Sequence, residues 1–246
     1  MKYAKRYGWL PDIPDQRDFL YSAIKPVIKL PDKVDLRKSC SEVEQQGQLG
    51  SCTANALAGN LEFLDKKIDG EYTDVSRLFI YYNERDMEGT VDSDSGAMLR
   101  DGIKTLRNDG ACHEKTWPYV ISRFDKKPPN KCYDEAKTHL IKAYHRLHTI
   151  TEMLTCLAEG YPFVFGFAVY ESFESEEVKN SGIVSMPDAS ERQIGGHAVL
   201  AVGYDRKKER FIVRNSWGTD WGISGYFTMP FEYLESLADD FWTIRR

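Results

Sequence analysis

The chain has 246 residues, enough for one large domain or two closely joined lobes around a sizeable core. Its 33 Lys and Arg against 38 Asp and Glu leave a formal charge of −5, and without a basic cluster this argues against nucleic acid or an anionic membrane as the main partner. No apolar run approaches the roughly eighteen residues of a spanning helix, and the basic start Met1–Trp9 leads into no apolar segment, so no secretory signal is visible and a cytoplasmic or virion-associated location is most compatible. Residues 1–34 are rich in Pro and aromatics, which predicts an extended arm anchored by Trp9, Phe19 and Tyr21, lying either on the surface or over a cleft. The globular part begins near Val34. In Gln46–Asn55 a cysteine follows small residues where a loop turns into a helix; Ala54, Leu57, Ala58, Leu61 and Leu64 then recur at three- and four-residue steps, predicting a helix over 51–68 with one buried stripe. Glu62–Lys67 and Asp205–Arg210 mix both signs of charge and read as solvated surface.

A second helix, opened by Thr73 or Asp74, carries Val75, Leu78, Phe79 and Tyr82 and closes before Gly89; a third carries Leu99, Ile103 and Leu106 and stops at Gly110. Between them Asp92–Gly96 begins like a calcium loop but lacks the third ligand and the distal Glu. Asp125–Lys131, with Pro128-Pro129, reads as a connection between lobes. The second half changes character. A short helix near Thr151–Glu159 precedes the apolar, aromatic strand 162–170; strands His197–Tyr204 and Arg210–Asn215 follow, joined by a charged turn, and then Gly225–Met229 and a C-terminal segment Leu237–Ile244. A helical lobe (about 40–125) beside a mostly antiparallel β lobe (about 130–246) makes an α+β protein with a groove between them. The five cysteines, Cys40, Cys52, Cys112, Cys132 and Cys156, are an odd set that suggests no disulfide framework, and His145-x-x-His148 reads as a helix face rather than a metal site; no metal or cofactor is expected.

The chemistry gathers around Cys52. The first turn of a helix, with its free N–H groups and positive dipole end, favours a thiolate, although a cysteine there taken alone is more often a small buried hydrophobe. His197, opening a strand after Gly195-Gly196, is a candidate base, and Asn215, ending the neighbouring strand of the same hairpin, a candidate orienter of its ring. Gln46, six residues before Cys52, is a candidate partner of the Cys52 N–H in stabilising an oxyanion.

Gln46 to Cys52, Gly195-Gly196-His197 and Asn215-Ser216-Trp217-Gly218-Thr219-Asp220-Trp221-Gly222 resemble the papain-like cysteine peptidases, in the right order and from about Val34 to the C-terminus. The resemblance implies a two-lobed papain-like fold, a helical left lobe and a β-barrel-like right lobe, and a thiol endopeptidase cutting polypeptides without a cofactor, as a monomer. It makes Cys52 the nucleophile, His197 the base and acid, Asn215 the orienter, Gln46 the oxyanion donor and Trp217 the shield of the Asn–His hydrogen bond. It also places Ser95, Gly96, Ala97, Gly166 and Gly196 around the pocket for the second residue before the cut, with Asp239 or Asp240 near its floor, suited to a bulky or basic side chain. Where papain has a Cys three before the nucleophile and a Trp after it, this chain has Leu49 and Thr53, and Asp92-Ser93-Asp94 stands where the other disulfide partner falls. Leu-Gly-Ser-Cys-Thr-Ala and the Trp-x-Pro-Asp-x-Pro-Asp-x-Arg-Asp arm are similar to bacterial, archaeal and large-virus members, in which a short arm stands in for the helical pro-segment. Residues 1–34 are therefore expected to act as an inhibitory arm before a peptidase domain of 35–246. Two other readings compete: a non-catalytic peptide-binding protein that keeps the fold, and another Cys–His acyl transferase or amidase. The filled catalytic positions and the Asn-Ser-Trp-Gly block weigh against both.

Overall fold

Helix α1 (Cys52–Asp69) runs through the middle of the molecule, and the other elements are arranged about it. The computed structural model describes residues 7–23 and 29–246; two parts of the arm sequence, Met1–Arg6 and Ile24–Ile28, lie outside the described residues. From Cys52 to Asp65 every residue of α1 is buried, rather than a single stripe. The cause is that α2 (Arg77–Glu88) and α3 (Leu99–Asn108) cover one side while the sheet covers the other. Glu62 and Asp65, expected on the surface, are consequently buried with partners. Glu62 receives the Ser41 hydroxyl and the Val75 amide, and burial pushes its carboxyl up to about 7. Asp65 pairs with Arg246 at 2.6 Å.

Helix α2 begins later than its hydrophobic pattern suggests. Ser76 Oγ accepts from the Phe79 amide at 3.1 Å and caps the helix, leaving Val75 to bridge to His113. Before α3 lies a short strand, β3 (Ala97–Met98). The proline-bearing connection contains an unexpected helix, α4 (Asn130–Ala136), with Pro129 as its N-cap residue, where a proline's missing N–H costs nothing.

The β half is one antiparallel sheet. Its strands β4 (Ala143–Arg146), β5 (Phe163–Tyr170), β6 (Gln193–Asp205), β7 (Arg210–Arg214), β8 (Tyr226–Pro230) and β9 (Ala238–Arg245) run in the order β4-β9-β5-β6-β7-β8, and β2 (Lys33–Asp35) pairs with β6. His145 is therefore on a strand, not on a helix face. Three helices attach to this half: α5 (Ile150–Ala158), held by a Thr149–Glu152 capping box, α6 (Glu176–Ser181) and α7 (Phe231–Leu237). Because side chains alternate along a strand, β5 and β6 feed two cores. Val164, Ala198, Leu200 and Val202 pack with the helices, whereas Phe163, Phe165, Phe167, Val199 and Ala201 join an aromatic core on the far side. This places the start of α1 against the start of β6.

The arm is anchored by charge as well as by aromatics. Tyr21 is buried and its hydroxyl donates to Glu159, but Phe19 is 53% exposed against Tyr144. Asp12 accepts from Trp242 Nε1 at 2.8 Å and from the Arg100 amide at 3.1 Å, and Asp18 takes both Arg100 and Arg146 at 3.2 Å. Upstream of this docked part, β1 (Trp9–Leu10) pairs in parallel with β3.

Candidate active site

Cys52 is the first residue of α1 and has no solvent exposure. Its sulfur faces the backbone amides of Ala198, Gly8 and Thr53, all of which favour the thiolate, yet burial outweighs them and pushes the thiol up to about 12. The amide of Ala198 reaches the sulfur because it follows His197 on β6, on the strand that packs against α1. His197 is equally buried.

The His197 ring is fixed from several sides. Nε2 lies 2.8 Å from Asn215 Oδ1, at the end of β7. An amide oxygen only accepts, so Nε2 carries the proton and Nδ1 is the basic nitrogen of the neutral ring. Trp217 stacks on the ring at 4.9 Å and 27°, Phe167 meets it edge-on at 5.8 Å, and Trp221 and Phe173 back Trp217 at 5.2 and 5.4 Å. These aromatics keep water from the His–Asn bond.

Gln46 is buried and oriented by polar contacts. Its Oε1 accepts from Ser216 Oγ at 2.6 Å, its Nε2 donates to Leu49 O at 2.9 Å, and its own amide donates to Ser216 O. Tyr119 adds a hydroxyl donated to Gln46 O at 2.9 Å and shared with Ser51 Oγ at 2.5 Å. The Ser216 and Tyr119 contacts have no sequence signal of their own, since both arise from distant loops meeting. The structure thus gathers Gln46, Cys52, His197, Asn215 and Trp217 at one end of α1, from three separate stretches of chain.

Residues 7–10 of the arm lie across this site. Gly8 O accepts from the Ala97 amide at 2.8 Å, and a Cβ on Gly8 would stand 1.7 Å from Gly50 O. Tyr7 meets the His197 ring at 5.9 Å and donates its hydroxyl to Glu174. The Trp9 indole fills the space between Gly166 and Gly196, where a Cβ would approach it to 1.9 and 2.8 Å, and its Nε1 donates to Asp240 Oδ2 at 3.1 Å. Of the residues expected around a pocket here, Gly96, Ala97, Gly166 and Gly196 line the arm's course. Ser95 turns its hydroxyl to Thr90, and the side chain of Asp239 is 65% exposed and pairs with Arg146. The acid facing Trp9 is Asp240. At Asp240 the backbone is left-handed, with φ 57°, and the β5–β9 register shifts; there its carboxylate is buried while that of Asp239 faces solvent.

The family model "Papain family cysteine protease" matches residues 30–235. The chain belongs to the papain family of cysteine proteases. This papain-family endopeptidase is 43% identical, over 98% of its length and 87% of the relative's, to an uncharacterized peptidase C1-like protein of Acanthamoeba polyphaga mimivirus. It is 45% identical to xylellain, a cysteine protease from Xylella fastidiosa, whose crystal structure superposes with a TM-score of 0.90, covering 100% of this chain and 98% of the other. Procathepsin L 3 of Tenebrio molitor larval midgut, at 18% identity and a TM-score of 0.70, shares the two-lobed fold.

Proposed function

We propose that this protease cuts peptide bonds within a polypeptide through a thioester on Cys52, and that residues 7–10 hold it in an inhibited form. In the open site Nδ1 of His197 takes the Cys52 proton, and Sγ attacks the substrate carbonyl carbon. The developing oxyanion is stabilised by the Gln46 side-chain amide and the Cys52 N–H at the start of α1. The imidazolium, held by Asn215, then protonates the departing amine. Water, activated by the same ring, attacks the thioester, releases the acid and restores the thiol.

The observation that carries the inhibited form is the orientation of Gly8: an N–H faces the Cys52 sulfur, while its carbonyl is turned to the Ala97 amide. A nucleophile that meets an amide hydrogen has no carbonyl carbon to attack, so the arm occupies the cleft without being a substrate. By excluding water from Cys52, the arm also keeps the thiol protonated. Its departure restores hydration and allows the thiolate–imidazolium pair to form. The deciding experiment compares labelling by an epoxysuccinyl inhibitor in the full chain, a chain starting at Pro11 and its Cys52→Ala form. Rapid labelling of the shortened chain alone is expected; equal rates with and without residues 1–10 would overturn the inhibited form, and no labelling in either would overturn the thioester mechanism.

Trp9 also supports a preference for substrate side chains. Its slot has glycine walls and ends at Asp240, whose Oδ1 already pairs with Arg146 at 3.0 Å. An acid so paired favours a neutral ring with an N–H donor over a second cation. Substrates with Trp two residues before the cut are expected to exceed matched Arg substrates in kcat/KM. Equal or higher values for Arg would remove the proposal.

A further inference from the structure

Outside the cleft, a chain segment and a helix are clamped together around two thiols. Cys112, on the segment after α3, and Cys132, in the first turn of α4, are both without solvent exposure and share a small core with Phe79 and Ala136. The two backbones are held face to face by their neighbours. The His113 amide donates to Glu135 Oε2 at 3.0 Å, and His113 Nδ1 lies 3.2 Å from Glu135 Oε1. A Cβ on Gly110 would come within 2.0 Å of Ala136 O, and the Ser76 amide ties down Cys112 O at 2.8 Å. Within this clamp the Cys112 and Cys132 side chains face the same small core. Cys40 and Cys156 are instead committed to oxygens, Cys40 to Leu36 O at 3.7 Å and Cys156 to Tyr161 O at 3.4 Å and Thr243 Oγ1 at 3.3 Å.

We propose that Cys112 and Cys132 are a disulfide-forming pair, joined when the chain folds in the presence of a glutathione-type disulfide. The Cys132 thiolate attacks one sulfur of glutathione disulfide and releases a glutathione thiolate; the Cys112 thiolate then attacks the mixed disulfide at the Cys132 sulfur and releases the second glutathione. Two thiols lose two electrons in all, and the two protons pass to the released glutathione thiolates. Burial raises both thiols in the finished fold, so the bond forms most readily before this small core closes. The bond encloses residues 113–131. That loop carries Trp117, whose carbonyl accepts from the Ser76 cap at 2.6 Å, and Tyr119, whose hydroxyl holds Gln46 O. The link therefore fastens the loop that supports the entry to α1, without touching the catalytic groups.

The test refolds the full chain from denaturant in oxidised and reduced glutathione, blocks remaining thiols and maps the peptides without reduction. A linked pair of peptides containing Cys112 and Cys132, two hydrogens lighter than the separate peptides, is expected. The melting temperature is expected to rise by roughly 5–10 °C over the reduced protein, as closure of a loop of this length implies. Cys112→Ser and Cys132→Ala are expected to abolish both changes, whereas Cys40→Ala and Cys156→Ala leave them in place. Recovery of Cys112 and Cys132 as free thiols or separate glutathione adducts in folded protein would overturn the proposal. So would a redox-dependent melting shift that survives in either of the first two variants.

Discussion

The sulfur of Cys52 has three amides pointing at it and still holds its proton, because a buried thiolate loses more solvation than those amides return. In the mechanism proposed above, the same residue has two chemical states, selected by whether water and the imidazole can reach it. Cys52→Ala is expected to abolish peptide hydrolysis and covalent labelling while leaving the melting temperature nearly unchanged, since only a sulfur is removed. At Gln46 the side-chain amide is held by Ser216 and Leu49, so its orientation is set before substrate arrives. Gln46→Ala is expected to lower kcat by about 100- to 1,000-fold in the arm-free enzyme with a much smaller change in KM, measured on a fluorogenic peptide. Asp240 lies buried beside Asp12, and desolvation pushes its carboxyl from 3.8 up to about 7. Burial and Asp12 disfavour its charged form, and the Arg146 guanidinium paired with it offsets only part of that. The resulting contribution is complete below the unfolded value and is lost as pH rises from about 4 towards about 7. Asp240→Asn, which cannot ionise, is expected to flatten the dependence of melting temperature on pH across that window.

At the scale of elements, the arm has two parts with different duties. Residues 7–10 fill the cleft, while Asp12, Asp18 and Tyr21 bind the body through Trp242, Arg100, Arg146 and Glu159. Removing only the first part is expected to activate; a chain starting at Leu30 also strips buried partners from Arg100 and Arg146 and is expected to melt several degrees lower. A gentler perturbation is available at Gly8. The place of its missing Cβ is 1.7 Å from the backbone oxygen of Gly50, which cannot swing away as a side chain can. Gly8→Ala is expected to lift the arm from the cleft and raise the labelling rate of the full chain by tenfold or more. An unchanged rate would show that β1 accommodates the methyl without leaving.

Over the whole molecule, helix α1 and the strand pair β6–β7 act as the frame, and the proposed catalytic groups stand where the two meet. Residue pattern alone determined much of this. The three-and-four spacing after Cys52 marked the central helix, the apolar run 162–170 marked β5, and the Gln–Cys, Gly-Gly-His and Asn-Ser-Trp-Gly blocks marked the family, because each of these is a local signal in one stretch of chain. Other features depended on distant segments meeting. Glu62 and Asp65 read as surface charges, since nothing nearby announces Ser41, Arg246 or the layers that enclose α1. The choice of Asp240 over Asp239 at the Trp9 slot rests on the left-handed backbone of β9 at Asp240, and the support of Gln46 by Ser216 and Tyr119 rests on contacts between loops far apart in sequence. That residues 7–10 present an N–H rather than a carbonyl to Cys52 was likewise decided by tertiary structure alone, through the Ala97 amide that turns the Gly8 carbonyl away. Local periodicity and short motifs encode which groups a chain carries, whereas burial and the direction of a hydrogen bond belong to the packed state and so set whether Cys52 is a nucleophile or a guarded thiol.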